Sequence, residues 1–212
     1  MNVWNIKPKS KVRKSNLLFF TLTLLGQQFL LAQDDLFAQI ENENPPEESL
    51  LPSKMLVTQR IFWGENGLLR KTKLAPLNKI NREKELKFRR NMLKAHQVLG
   101  FLTLTGMAAQ GFMGNKLYKG ERNSYKAHKT IGNLTTASYF TGASLSLFAP
   151  PPLVSKKTQG LSSIKAHKWL ASIHFSAMVA TNILSEENRK YHRAAAYTLF
   201  ASYATAILVF KF

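Results

Sequence analysis

Four stretches of this chain carry no Asp, Glu, Lys or Arg: 97–115, 130–155, 169–185 and 194–210. Each is close to the ~20 residues that an α-helix needs to cross ~30 Å of hydrocarbon. Charged or proline-rich links join them: Asn115–Tyr125, Pro150–Ile164 (with Pro150-Pro151-Pro152 and Gly160) and Ser185–Tyr191. Links this short make successive helices antiparallel. Small and hydroxylated residues are frequent inside the stretches; Asn133–Ser146 holds Thr135, Thr136, Ser138, Thr141 and Ser144. Such residues favour close helix packing over lipid contact. The pattern predicts an all-α protein, an antiparallel four-helix transmembrane bundle over residues 93–212.

Upstream the pattern changes twice. Lys7, Lys9, Lys11, Arg13 and Lys14 precede the charge-free run Asn16–Gln33, with Leu30-Leu31-Ala32 as a cleavage candidate. A basic region followed by an apolar one predicts that residues 1–33 are a signal peptide, or failing cleavage an anchor, and that the segment after them is exported. Residues 34–92 then read as an exported linker and juxtamembrane segment. Asp34–Pro52 is acidic and contains Pro45-Pro46, as linkers do. Met55–Leu69, with Ile61-Phe62-Trp63, fits a short amphipathic piece on the bilayer surface, and Asn78–Lys94 has a helical composition that runs into the first span.

The whole chain has 212 residues, 30 Lys+Arg against 12 Asp+Glu, and a net charge of +18. The basic residues cluster beside the apolar runs, where lipid headgroups account for them, and they form no patch of the kind that binds nucleic acid. Glu121, Glu186 and Glu187 are the only acids after residue 95, and the chain has no Cys. Thiolate metal sites, iron–sulfur clusters, disulfides and cysteine nucleophiles are therefore excluded. A metal or cofactor has to be held by histidine or oxygen ligands.

Four of the five histidines recur at one place: Lys94-Ala95-His96, Lys126-Ala127-His128, Lys165-Ala166-His167 and Lys190-Tyr191-His192. Each stands at the N-terminal edge of a span, and an ionisable group there is a functional candidate by default. Antiparallel order puts His96 and His167 at one membrane face and His128 and His192 at the other. Two facing imidazoles suit the two axial positions of a haem iron in the core of a helix bundle. A zinc or di-iron site needs carboxylates or more converging ligands, which these spans do not contain.

Four residues after each histidine stands a small one: Gly100, Gly132, Ala171 and Ala196. Positions i and i+4 share a helix face, so a flat macrocycle held by the histidine would press there. The plainer explanation is that Gly and Ala allow tight helix crossing. Phe101, Tyr139, Phe140, Trp169, Phe175, Tyr197 and Phe200 could wall such pockets. His174, about two turns beyond His167, has three readings: a substitute ligand, a hydrogen-bonding group between two haems, or a core histidine bonded to a backbone carbonyl. Lys94, Lys126, Lys165, Lys190, Lys129, Lys168 and Arg193 could neutralise haem propionates or draw in an anionic reductant, or simply snorkel to the interface.

The ordered set His96–Gly100, His128–Gly132, His167–Ala171 and His192–Ala196 resembles the core of the cytochrome b-561 family, integral membrane di-haem electron-transfer proteins. The resemblance implies one haem b between His96 and His167, a second between His128 and His192, and transmembrane electron transport from a small reductant or redox protein to an acceptor on the other side. Ala in place of Gly in the last two elements departs from the family, and residues 34–92 have no counterpart in it. No catalytic residue is expected beyond the iron ligands. An enzymatic role, if any, would be that of a transmembrane oxidoreductase. The expected location is an integral membrane protein, in a bacterium of the cytoplasmic (inner) membrane, with residues 34–92 on the exported side. Lysine and arginine oppose that orientation, since Lys79 to Lys94 and the Pro150–Lys168 link put more of them outside than inside. The alternative is a haem-free structural or assembly membrane protein of the cell envelope.

Overall fold

A computed structural model describes residues 50–153 and 162–209, all of them in helices and connecting turns. The signal-peptide expectation over 1–33, and the linker up to residue 49, lie outside the described residues. Two short helices, α1 (Val57–Trp63) and α2 (Leu68–Lys71), precede four long ones: α3 (Lys79–Tyr118), α4 (Tyr125–Leu147), α5 (Ser163–Ile183) and α6 (Arg189–Leu208).

Local chemistry sets the ends of the long helices. Asn78 Oδ1 accepts from the Asn81 N–H at 2.9 Å, Ser162 Oγ from Lys165 at 3.3 Å, and Asn188 Oδ1 from Lys190 and Tyr191 at 3.0 and 3.1 Å. These are N-caps on groups that have no intrahelical partner. Gly120, at φ 97°, turns the chain out of α3 into a single 3₁₀ turn, Arg122–Ser124, that leads into α4. Pro150-Pro151-Pro152 stops the chain after α4, because proline lacks the N–H and clashes with the preceding turn.

The long helices form two antiparallel hairpins, α3 with α4 and α5 with α6, each in close backbone contact along its length. Where α3 crosses α4, a methyl group added to Gly106 would overlap Thr135 Oγ1, and Thr103 Oγ1 meets Ser138 Oγ at 2.9 Å. The hairpins approach less closely, α3 against α6, and meet mainly through side chains. Met107, Tyr139, Ala177, Met178, Leu199 and Tyr203, one or two from each helix, make a thin common core. Outward-facing apolar side chains stay uncovered; Phe112 and Leu134 are each 65 % exposed.

No helix among the described residues is long and apolar enough to cross a membrane by its mean hydropathy. The hydroxylated and amide residues lower that mean. Many are satisfied internally: Thr105, Ser172, Thr198, Ser202 and Thr205 each give a hydrogen bond to the carbonyl four residues back, and Thr136 Oγ1 reaches Asn182 Oδ1 at 3.2 Å.

Residues 50–69, expected as the end of a linker and a surface piece, form a packed cap together with the start of α3, where a helix was expected. Six consecutive carbonyls at the end of α4 and in the proline link each take a donor from it. Thr58 Oγ1 gives to Leu147 at 2.6 Å, Trp63 Nε1 to Phe148 at 2.9 Å and Gln59 Nε2 to Ala149 at 3.1 Å. Arg89 gives to Pro150 at 2.6 Å, and Arg82 to Pro151 and Pro152 at 3.2 and 3.3 Å. Glu85 is buried between Arg82, at 2.5 Å, and Arg70, which also bonds the Trp63 and Ala75 carbonyls. Burial and the neighbouring Arg82 cation lower the pKa of the Arg89 guanidinium. The last carbonyls of a helix are orphans and prolines add no donors, so this stretch of chain needs partners from elsewhere. Because α3 runs unbroken from Lys79 to Tyr118, the cap and the bundle share one rigid helix.

Candidate functional site

The fold brings the four recurring histidines together as two pairs, each across the boundary between hairpins. His96 of α3 faces His167 of α5 with ring centroids 6.5 Å apart, and His128 of α4 faces His192 of α6 at 6.3 Å. The ring planes stand at 88° and 80°. All four rings are half-buried.

Three of the four rings are tied down inside their own hairpin. His96 Nδ1 lies 2.8 Å from the Gly142 carbonyl, His167 Nδ1 3.1 Å from Ala206, and His192 Nδ1 2.8 Å from Thr181. A carbonyl only accepts, so the proton sits on Nδ1 and leaves the Nε2 lone pair available to a metal. The acceptors lie near the C-terminal ends of the antiparallel neighbours, where carbonyls carry the negative end of the helix dipole. They also follow a rule: each stands fourteen residues beyond a site histidine, 142 after 128, 181 after 167 and 206 after 192. The two pairs are therefore separated by about 21 Å along the bundle.

The fourth tie is looser. Fourteen residues beyond His96 stands Gln110, whose side chain gives its hydrogen bond to the backbone carbonyl of His128 at 2.8 Å, and not to the ring. The buried Nδ1 of His128 faces the Gln110 backbone, outside the geometry of a full hydrogen bond. Gly114 covers that ring; a Cβ there would lie 3.3 Å from His128 Cε1 and 3.8 Å from Nδ1.

The donor set fits a haem iron. A metal–imidazole bond of about 2.0–2.1 Å, plus about 1.1 Å from nitrogen to ring centre, puts two rings on opposite sides of one atom about 6.3 Å apart. Both pairs match that spacing. Among the described residues no group of three or more His, Asp or Glu converges to hold a metal by itself. A two-coordinate imidazole pair suits an ion that brings its remaining ligands with it, as a macrocycle does.

The small residues divide. A Cβ at Gly132 would meet the Gln110 side chain at 3.3 Å, so Gly132 makes room for helix crossing within its hairpin. Gly100 faces across the hairpins, with only the Tyr203 hydroxyl near its missing side chain, at 3.8 Å. Ala171 and Ala196 are half-buried.

His174 bonds neither a backbone carbonyl nor anything in the place of His167, which keeps its position opposite His96. Its Nδ1 lies 2.7 Å from the Tyr139 hydroxyl, and its ring packs on Tyr203 at 4.9 Å. A hydroxyl from α4 reaches it before any free carbonyl does. Among the aromatic residues expected around the site, Tyr139 belongs to this central cluster and Phe140 packs on Phe175 at 6.0 Å. Phe101, Trp169, Tyr197 and Phe200 are exposed on the outside of the bundle.

Sequence reasoning missed Gly142, Thr181 and Ala206 because a backbone carbonyl has no residue type. Gly142 alone leaves a trace, since a side chain there would lie 3.9 Å from His96 Nδ1 and 3.4 Å from Leu99 Cβ. No family model, curated protein or solved structure matches this chain.

Proposed function

We propose that this chain carries electrons across a membrane through two haem b groups, one between His96 and His167 and the other between His128 and His192. The observation that supports it most is the pairing itself: two imidazole pairs, each with the spacing of rings sharing one metal atom, three of four rings locked with Nε2 free. It is also what the resemblance to the cytochrome b-561 family implies.

When bound, haem supplies a one-electron couple, and the chain's own residues do the rest. His96, His167, His128 and His192 hold the iron, and the Gly142, Ala206 and Thr181 carbonyls orient three of those rings and raise their basicity. Tyr139, His174 and Tyr203 fill the space midway between the two levels and keep water out of it. Lys94 and Lys165 at one end, and Lys129 and Lys190 at the other, offer cations to propionates or to an anionic reductant.

The membrane part of the proposal draws on the charge-free stretches, the uncovered apolar side chains and the internal satisfaction of hydroxyl groups. A hydroxyl bonded to its own helix costs much less in lipid than an unpaired one. Residues 50–89 would then cap the bundle on the exported side, at the level of His96 and His167.

The test is the visible spectrum of the full chain purified in detergent. A Soret band and a reducible α band are expected, with His96→Ala and His167→Ala each removing the same half of the haem. Full haem loading in the quadruple His→Ala variant, or colourless protein from haem-replete cells, would refute the proposal. The second outcome would favour a haem-free assembly protein, a reading supported by the cap and by the polarity of the helices.

A further inference from the structure

Half of the chain's 12 acids fall in residues 34–49: Asp34, Asp35, Glu41, Glu43, Glu47 and Glu48, with no Lys or Arg among them. Residues 50–95 reverse the balance, with twelve Lys+Arg against Glu65, Glu83 and Glu85. Two of those three acids are already engaged, Glu85 by Arg70 and Arg82, and Glu83 by Lys87. No apolar run of spanning length separates the two stretches, so both stand on one side of any bilayer that the bundle crosses.

The basic stretch carries an open hollow of about 200 Å³, walled by Trp63, Leu74 and Ala75 on one side and by Asn81, Lys84 and Phe88 of α3 on the other. Arg70 fixes its walls: it bonds the Trp63 and Ala75 carbonyls and the carboxylate of Glu85, which also lines the hollow. Leu74 is 76 % exposed and Phe88 51 %. Lipid does not account for them, because Lys84, Lys87, Arg89 and Arg90 flank Phe88, which stands eight residues, about 12 Å, before His96 and away from the spans. The surroundings are positive. Arg70 and Arg82 outweigh Glu85, and Lys73 and Lys84 are exposed with no ion pair to another described residue.

We infer that this hollow is the docking site of the chain's own residues 34–41, a segment outside the described residues, with Phe37 seated in it and Asp34, Asp35 and Glu41 meeting Lys73 and Lys84. Size, polarity and charge all match. A cavity of about 150 Å³ takes a benzene ring, and Leu36-Phe37 is an apolar pair flanked by acids. The reach is sufficient: Arg82, next to Asn81 of the hollow, holds the Leu50 carbonyl through its Nε at 2.9 Å, and the thirteen residues from Phe37 to Leu50 can span about 40 Å. Docking covers apolar side chains that no described residue covers and lowers the mutual repulsion of the cap's cations.

Zero-length carbodiimide coupling of the full chain in detergent at low salt, followed by peptide mapping, tests this. Asp34, Asp35 or Glu41 should couple to Lys84 and Lys73 in preference to Lys87 and Lys94, within one chain. Salt at about 1 M, where charges are screened within about 3 Å, should suppress the coupling. Phe37→Ser, with every charge in place, should slow it about tenfold. The inference fails if the products spread evenly over the four lysines or if Phe37→Ser leaves the rate unchanged. Products that link two chains and rise with protein concentration would give the hollow to a second copy. Coupling lost in phosphatidylglycerol discs but kept in phosphatidylcholine discs would give it to lipid headgroups. Either result overturns docking by the chain's own segment.

Discussion

The Tyr139 hydroxyl and Nδ1 of His174 share a hydrogen bond of 2.7 Å at the centre of the bundle, the most buried polar contact between the two hairpins. Tyr139→Phe would keep the ring and leave His174 unpaired, at a cost of about 1–3 kcal/mol. Thermal unfolding in detergent should show the loss. Haem content should stay at the wild-type level, because His174 is expected to be a core residue; loss of one haem on His174→Phe would make it a ligand.

Gly106 and Thr135 set the distance between α3 and α4. Gly106→Ala should destabilise the hairpin by about 1–3 kcal/mol through overpacking, and Thr135→Ala in the same chain should restore most of it. A double variant no more stable than Gly106→Ala would mean that the crossing is not limited by this contact.

Arg82 is nearly inaccessible and serves Glu85 and the Leu50, Pro151 and Pro152 carbonyls together. Arg82→Met should cost about 3–5 kcal/mol, since it leaves a buried carboxylate half-paired and three carbonyls without their donor. Limited proteolysis should then cut within residues 50–78, which the intact cap protects. An unchanged digestion pattern and melting temperature would show that Arg70 alone holds Glu85 and the cap.

The imidazole planes of each pair are nearly perpendicular, at 88° and 80°. A low-spin ferric centre held by crossed imidazoles gives a strongly anisotropic electron paramagnetic resonance signal, and parallel planes give a rhombic one. Two highly anisotropic signals are expected from the oxidised full chain, one lost with His96→Ala and the other with His192→Ala. Rhombic signals from both centres would contradict the ring geometry.

A change beside one ring's tie should affect that ring's own level only. Gly142→Ala would add a methyl group in van der Waals contact with Leu99 Cβ and beside His96 Nδ1, so the centre at His96–His167 should change its reduction potential and the other should not. Separate spectroelectrochemical titration of the two bands checks this. Equal shifts in both would point to a general loosening of the bundle.

The helices, their antiparallel order and the grouping of His96 with His167 and His128 with His192 were legible in the sequence, because they depend on properties that repeat along it. Charge-free length, short links and the recurrence of Lys-x-His act within one helix or between chain neighbours, and each residue states its own polarity. The cap was not legible. Its bonds run from side chains at 58–89 to carbonyls at 147–152, over chain separations no local pattern carries, and the acceptors are backbone atoms common to every residue. For the same reason the sequence placed His174 near the middle of the bundle but not on Tyr139, and gave no sign of which backbone carbonyl each ring would meet. Tertiary structure decided those points, since whether an imidazole N–H finds a carbonyl is a matter of tenths of an ångström between helices, set by residues such as Gly106, Gly114 and Gly142 that contribute only the absence of a side chain.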